Sequence, residues 1–147
     1  MNYKKDIKRV MEIEVSAHRN DQSSRIRSYS LQMYKEMMGH YKKMCKIGSA
    51  FVALDEKKVV GSIGTYPDKT LALLGTVVVD PKYQGCGVAK SLYRSALLDL
   101  KKRKNWYYKG YTTTDKVLSL GEKMKRKISF VILNKTIIER KANGRVS

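Results

Sequence analysis

The chain has 147 residues and is strongly basic, with 31 lysine and arginine residues against 13 acidic ones and a formal net charge of +18 at pH 7. This length can bury a core without disulfides or metals, so we expect one domain over residues 1–147. Two cysteines without a ligand spacing, no signal peptide and no apolar run of membrane-spanning length predict a protein of the reducing cytoplasm. The positive charge would attract polyanions: a phosphorylated cofactor, a nucleic acid or an acidic protein.

The first third of the chain carries helical spacing. One predicted helix ends near Ile47, and its stripe contains Ile26, Ser30, Met33, Met37 and Tyr41. Residues 11–15 fit either an earlier helix or a short first strand, and periodicity leaves both open. The methionines of this region could line a groove for an acceptor molecule or, as is commoner, fill the core; they are Met33, Met37, Met38 and Met44.

Three strands are predicted next, in immediate succession. Apolar and β-branched runs at residues 50–54, 59–66 and 71–79 are separated by short polar turns, which indicates consecutive antiparallel strands. The third run is too apolar for an exposed edge, and Pro81 ends it because proline has no N–H for the ladder. We therefore expect this run to be a buried central strand.

Beyond a glycine-containing turn, helix and strand patterns alternate. Apolar residues recur every three or four positions from Val88 to Leu100, as in a helix packed on a sheet, and basic residues at 101–104 suit the negative end of its dipole. Later patterns predict a strand, a helix and a closing hairpin at residues 106–112, 113–124 and 128–138. The order predicts an α/β fold with a mixed sheet, antiparallel first and then parallel, flanked by helices.

The turn between the central strand and this helix is the most informative segment. The first amides of a helix have no intrahelical partner, and Gly85 and Gly87 leave space for an anion to approach them. A Walker P-loop is excluded because Gln84 and Ala89 stand where both glycines belong, and the third glycine of a dinucleotide fingerprint is missing. The segment predicts a phosphate site made of backbone, with an ordinary tight turn as the structural alternative.

Gln84-x-x-Gly87-x-Ala89, directly after a strand that ends in Val-Asp-Pro, resembles the pyrophosphate loop of the GNAT superfamily of N-acetyltransferases. The resemblance is tightest over residues 71–100 and extends more loosely over residues 50–124. It implies an acetyl-coenzyme A dependent transferase in which two parallel strands splay apart and the pantetheine arm of the cofactor lies between them. The predicted order of helices and strands matches that layout.

The resemblance also implies cofactor contacts in this chain, made mostly by peptide groups. The pantetheine arm would lie along Val77, Val78 and Val79. The pyrophosphate would lie on the turn and the start of the helix, at Gln84, Gly85, Cys86, Gly87, Val88, Ala89 and Lys90. Thr114 would offer its hydroxyl to the cofactor or cap the following helix, and a backbone N–H near Val77 or Val78 would meet the oxyanion of the tetrahedral intermediate. No metal is expected.

The chain departs from the family pattern where many members have a tyrosine that protonates the leaving thiolate, because Gly121 occupies that position. A thiol has a pKa of about 8.5, so loss of thiolate at pH 7 costs only about 2 kcal/mol, and Ser119 or a water could supply the proton. An acceptor amine with a pKa of about 10.4 does need a base. The candidates by chain position, none of them favoured, are Asp55, Asp68, Asp80 and Glu36.

The leading interpretation is transfer of an acetyl group to a primary amine by direct attack, without a covalent enzyme intermediate. The acceptor, bound by the N-terminal helices and the closing hairpin, could be an amino sugar, a polyamine, a peptide N-terminus or a lysine. Gly121 favours an alternative, a coenzyme A-binding module without chemistry. The charge favours another, a nucleic-acid or ribosome-associated protein, although no zinc-finger spacing or RNA-binding aromatic motif accompanies it.

Overall fold

The computed structural model describes residues 1–20, 30–67, 72–104, 107–110, 119, 130–133, 136–139 and 144–145. Two helices come first, α1 (Tyr3–Asn20) and α2 (Leu31–Lys46), followed by strands β1 (Ala50–Asp55), β2 (Lys58–Tyr66) and β3 (Ala72–Val79). A short 3-10 helix (Pro81–Tyr83) leads to helix α3 (Val88–Lys102). The remaining described strands are β4 (Tyr107–Gly110), β5 (Phe130–Leu133), β6 (Thr136–Glu139) and β7 (Gly144–Arg145). Within these residues, no helix has the length and apolar character needed to cross a bilayer.

The sheet is mixed, as predicted. Its strand order is β1-β2-β3-β4-β7, with β1, β2 and β3 antiparallel in succession and β3 parallel to β4. Strands β5 and β6 form the expected hairpin as a separate two-stranded sheet. The pairing of β7 with the edge of β4 was not predicted, because two residues are too few to show a strand period.

The structure resolves the alternative at residues 11–15 in favour of helix. Ile7, Val10, Met11, Glu14 and His18 are buried on one face of α1, at the spacing of a helix that packs on a sheet. The predicted stripe of α2 needs one correction. Ser30 lies before the helix and caps it, since its side chain accepts from the Met33 N–H at 3.1 Å; Ile26 lies outside the described residues.

Two layers of core cover the two faces of the five-stranded sheet. On one face, α3 packs through the predicted stripe, and the buried residues are apolar: Ile63, Leu74, Val79, Leu92, Ala96 and Leu100. On the other face, α1 and α2 pack on residues that include Ala50, Val59 and Val78. The methionines of α2 belong to this second layer: Met44 is buried, and Met37 and Met38 pack against the same cluster. Core filling therefore accounts for these three.

Other predicted segments fall partly or wholly outside the described residues. The strand predicted at 106–112 is confirmed at Tyr107–Gly110. The helix predicted at 113–124 is represented by Ser119 alone, which is helical and exposed. Thr114 and Gly121 lie outside the described part of the chain.

Candidate active site

Strands β3 and β4 pair in parallel over a short described stretch. Ala72 to Leu74 pair with Tyr108 to Gly110, the last described residue of β4. Strand β3 continues for five more residues, to Val79. Along this second half, none of the described residues of β4 pairs with β3, and this edge, unpaired among the described residues, is called the open edge of β3.

A β-bulge lies where this opening begins. Between the pairs Ile63–Val77 and Thr65–Leu74 of the β2–β3 ladder, β2 has the single residue Gly64 where β3 has Gly75 and Thr76. The two glycines allow close approach: a Cβ on Gly75 would lie 3.1 Å from the Gly64 carbonyl oxygen, and a Cβ on Gly64 would overlap the sulfur of Met44. A bulge bends its strand and increases the local twist, and this one lies directly after the last described β3–β4 pair, at Leu74.

The open edge of β3 presents peptide groups. The Asp80 N–H donates to the Val60 carbonyl at 2.9 Å, which makes this a hydrogen-bonded pair of the antiparallel ladder. Since such pairs alternate, the peptide of Val78 faces its partner Ser62 in β2, whereas the peptides of Val77 and Val79 face the open edge. Of the three valines, Val77 and Val79 can therefore offer backbone donors and acceptors to a molecule lying beside the strand.

The turn after β3 forms a second row of backbone donors. Gly87 is the N-cap of α3 in the left-handed conformation, with φ 81° and ψ 0°, and Gly85 has φ 83°. The first helical hydrogen bond runs from the Ser91 N–H to the Gly87 carbonyl at 3.0 Å, so the N–H groups of Val88, Ala89 and Lys90 precede it. A Cβ built on either glycine would meet nothing within 4 Å. The glycines are thus required by conformation, and the space before the helix is open to an anion.

Side chains anchor this turn to the sheet. Gln84, itself exposed, directs its side-chain amide back to the Val79 carbonyl at 3.4 Å. Asp80 is buried, caps the 3-10 helix by accepting from the Lys82 N–H at 3.0 Å, and forms an ion pair with Arg9 of α1. Cys86 is exposed, with its sulfur 3.9 Å from the Gln84 carbonyl oxygen.

The carboxylates proposed as bases have other partners in this structure. Asp55 accepts a hydrogen bond from the Tyr83 hydroxyl at 2.8 Å, and this bond is the main cause that raises the pKa of Tyr83 above its ordinary value. Asp80 is held as described above, and Glu36 is exposed and accepts from Gln32 at 2.7 Å. Asp68 lies outside the described residues. Sequence reasoning therefore leaves the base of the reaction unassigned.

Comparison with known proteins decides the family. A family model described as an acetyltransferase (GNAT) domain matches residues 46–129, more than half of the chain. The chain belongs to the GNAT acetyltransferase family. Acetyl-coenzyme A is the acyl donor of this family, as the resemblance of the turn implied. No curated protein sequence matches the chain.

Solved structures share the fold of this GNAT chain. An N-acetyltransferase from Staphylococcus aureus Mu50 matches with a TM-score of 0.73 at 14% identity, over 100% of this chain and 96% of that one. PaiA N-acetyltransferase from Thermoplasma acidophilum, in complex with coenzyme A, matches with a TM-score of 0.70 at 12% identity, over 99% and 95%. YncA from Salmonella typhimurium, with its cofactor acetyl-CoA, matches with a TM-score of 0.73 at 12% identity, over 100% and 91%.

A set of buried polar side chains between the N-terminal helices and the sheet of this GNAT chain was not predicted from the sequence. His18 Nε2 lies 3.4 Å from Glu14 Oε1, the Tyr41 hydroxyl donates to Glu14 Oε2 at 3.3 Å, and the hydroxyls of Tyr41 and Ser62 lie 3.1 Å apart. A signal was available: Glu14 and His18 stand four residues apart on the apolar stripe of α1, where a solvated pair would not be placed.

Helices α1 and α2 of this GNAT protein also line a cavity of about 530 Å³ that opens to solvent. Its walls include one carboxylate and one guanidinium among apolar groups, and the lining residues are Met11, Glu12, Val15, Ser16, Arg19 and Tyr34. None of them belongs to the open edge of β3 or to the glycine turn. The cavity lies on the helices that the sequence assigns to the acceptor.

Proposed function

We propose that this protein transfers the acetyl group of acetyl-coenzyme A to a primary amine, by direct attack of the amine on the thioester within a ternary complex. One observation carries the proposal. The open edge of β3 leads straight into a turn with exposed helix N-terminal amides, so donors for an amide-containing arm and for a pyrophosphate follow one another along the chain. The whole chain would act as one domain.

The pyrophosphate would lie on the turn from Gln84 to Ala89 and on Lys90. The N–H groups before the first helical bond of α3 point to this space, and the positive end of the helix dipole favours the negative charge. Lys82 and Lys90 are exposed on either side of the turn. Their charges, within a protein of net charge +18, would also speed the encounter with a cofactor that carries several phosphates.

The pantetheine arm would lie along the open edge of β3 and complete its ladder. Its amides would pair with the outward peptides of Val77 and Val79, while Val78 keeps its bond to β2. The thioester would then lie near the bulge at Gly75 and Thr76, directly after the last described β3–β4 pair. Thr114 is assigned a cofactor contact on the family pattern alone.

The leaving thiolate needs little assistance, whereas the acceptor amine must lose a proton before it can attack. The amine nitrogen attacks the thioester carbon, and a backbone N–H of β3 near Val77 would stabilise the oxyanion of the tetrahedral intermediate. The C–S bond then breaks, at a cost of about 2 kcal/mol at pH 7 for a thiol of ordinary pKa. No enzyme nucleophile is required, so no covalent acetyl-enzyme forms.

The compartment proposed for this activity is the reducing cytoplasm. Both cysteines, Cys45 and Cys86, are free thiols in the structure. Burial is the main cause that raises the pKa of the Cys45 thiol, which disfavours its reactive thiolate form.

The decisive experiment is calorimetric titration with acetyl-coenzyme A of the wild type and of Gly87→Glu, which would place a carboxylate in front of the amides of α3. We expect binding by the wild type and none by the variant. Gly39→Glu is the matched control, because Gly39 lies in α2 and a Cβ there meets nothing within 4 Å. It should bind like the wild type.

Turnover is then measured as release of free thiol with a panel of amines: an amino sugar, a polyamine, a peptide N-terminus and a lysine side chain. Binding without release of thiol from any of them would favour a coenzyme A-binding module, the reading that Gly121 supports. Absence of binding by wild-type protein would refute the cofactor site and leave the turn as a simple strand-to-helix connection.

A further inference from the structure

The buried polar side chains between α1, α2 and β2 form a continuous line of polar contacts. It runs from His18 through Glu14 and Tyr41 to Ser62. Three of its members are almost completely enclosed, with exposed fractions of 1% for Glu14 and 0% for Tyr41 and Ser62. His18, at 8%, is the member that approaches the surface.

If these polar side chains served only to hold the helices together, their burial would cost folding free energy without a gain in function. A carboxylate and an imidazole lose hydration when buried, and apolar side chains of similar shape pack such an interface at no such cost. The neighbouring residues of α1 show that the chain uses apolar packing here, since Val10, Met11 and Ile13 are buried beside Glu14. The retention of an ionisable pair on this face therefore points to a chemical role.

The line lies beside the strand that forms the open edge. Ser62 is the register partner of Val78, which separates the two outward peptides of β3. Helix α1 crosses the sheet toward that strand: Met1 donates to the Ala50 carbonyl in β1 at 3.0 Å, and Arg9 reaches Val59 of β2 and Asp80 after β3. The helix continues for 11 residues past Arg9, about 16 Å. His18 lies on this second half of the helix, beyond the point where Arg9 contacts β2 and the end of β3.

We propose that His18 takes the proton that the acceptor amine must lose, and that Glu14 is the positioning residue that holds its imidazole. This inference rests on the proposed function and names the base that the sequence left unassigned. Imidazole is the side chain that ordinarily exchanges a proton between pH 5 and 8, which suits it to this step. The Glu14 carboxylate, 3.4 Å away, balances the positive charge that the imidazole acquires. The Tyr41 hydroxyl donates to this carboxylate and itself lies 3.1 Å from the Ser62 hydroxyl.

The protons balance in two transfers. The ammonium form of the acceptor gives one proton to His18 and becomes a neutral amine. Its nitrogen bonds to the thioester carbon, the C–S bond breaks with its electron pair on sulfur, and the second nitrogen proton ends on the thiolate. His18 then returns its proton to water. The products are an amide, free coenzyme A and one released proton, and no electron is exchanged.

Groups from each element packed against α1 lie near His18. Its own helix contributes Glu14, α2 contributes the Tyr41 hydroxyl through that carboxylate, and β2 contributes the uncharged Ser62. From β3, this layer contains the apolar Val78. The acid limb of the pH profile of kcat/KM, where activity falls as pH is lowered, is the readout that a proton-transfer role would change.

The test compares the wild type with His18→Gln and with His40→Gln, which replaces the second of the two histidines in the chain. His40 is exposed and pairs with the Tyr66 hydroxyl at 2.8 Å, away from the buried line. We expect His18→Gln to lower kcat/KM by about 10²- to 10⁴-fold and to abolish the acid limb, and His40→Gln to change neither. Glu14→Gln should lower kcat/KM by less than His18→Gln does, because a neutral amide no longer balances the charge that the imidazole acquires.

Two further measurements separate a chemical role from a structural one. Imidazole added to His18→Ala should restore part of the rate, whereas a merely structural histidine would not be replaced in this way. Binding of acetyl-coenzyme A by each variant should equal that of the wild type. Turnover with an unchanged pH profile in His18→Gln would overturn the base assignment and leave the proposed function standing. Failure of the wild type to acetylate any amine would overturn both.

Discussion

The two faces of the sheet bury different chemistry. The face under α3 is filled by apolar side chains such as Ile63, Leu92 and Leu100. The face under α1 and α2 is also apolar in most of its area, but it encloses Glu14 and His18. The first face holds the helix whose N-terminus is proposed to bind the pyrophosphate. The second packs against the helices proposed to bind the acceptor. The proposed cofactor contacts use the backbone and need only a rigid support, whereas the proposed proton transfer needs side chains.

The largest effect on stability should come from the α3 face. Leu100 is completely buried at the end of the helix stripe. We expect Leu100→Ala to lower the free energy of unfolding by about 2–5 kcal/mol, because the lost burial is compounded by a cavity. Chemical denaturation would measure it. Leu98→Ala is the matched control, since Leu98 on the same helix is 53% exposed, and it should change the free energy by less than about 0.5 kcal/mol.

A glycine on the same face should give the next largest effect. A Cβ on Gly61 would lie 2.9 Å from the Val78 carbonyl oxygen and 3.1 Å from Leu92, so α3 sits too close to β2 for any side chain there. Gly61→Ala should destabilise the protein by about 1–3 kcal/mol. Gly39→Ala should do the opposite and stabilise it by about 0.5–1 kcal/mol, because Gly39 is an unobstructed position inside α2. Equal effects at the two sites would show that the α3 face is less tightly packed than described.

The smallest effect is expected from an exposed hydrogen bond at the rim of the α3 face, where Tyr83 packs against the core. The Tyr83 hydroxyl donates to Asp55, which favours the neutral phenol and holds the pKa of Tyr83 above its ordinary value. A raised folded-state pKa gives stability below the unfolded pKa that is lost as pH rises through the folded one, so this contact is lost only in alkaline solution, above about pH 10. Asp55→Asn should lower the pKa of Tyr83, as measured by ultraviolet titration of the phenol.

Titration at alkaline pH also tests whether an exposed hydrogen bond contributes less to stability than a buried one. Loss of the Tyr83 contact should leave the wild type folded at neutral pH, unlike loss of a buried partner. A Tyr83 pKa that is the same in the wild type and in Asp55→Asn would contradict the hydrogen bond to Asp55.

Much of the fold could be predicted because its patterns are local. The strand runs, the stripe of α3 and the end of β3 before Pro81 each depend on residues close together in the chain. Predictions failed or stayed open where the pattern was short or ambiguous. Ser30 was placed inside α2 rather than at its cap, residues 11–15 fitted two structures, and β7 is only two residues long. Boundaries and edge pairings depend on contacts that a local period does not encode.

The sequence by itself determined the glycine turn, since two glycines between a buried strand and an amphipathic helix favour the left-handed conformation before the first amides of the helix. Only the tertiary structure decided which part of β3 pairs with a described strand on each side, because that depends on a bulge opposite Gly64 and on β4, which follows much later in the chain. It also decided that Glu14, Tyr41 and Ser62 share one buried line. Backbone conformation is a local property, whereas the meeting of side chains from two helices and a strand is a property of the packed chain.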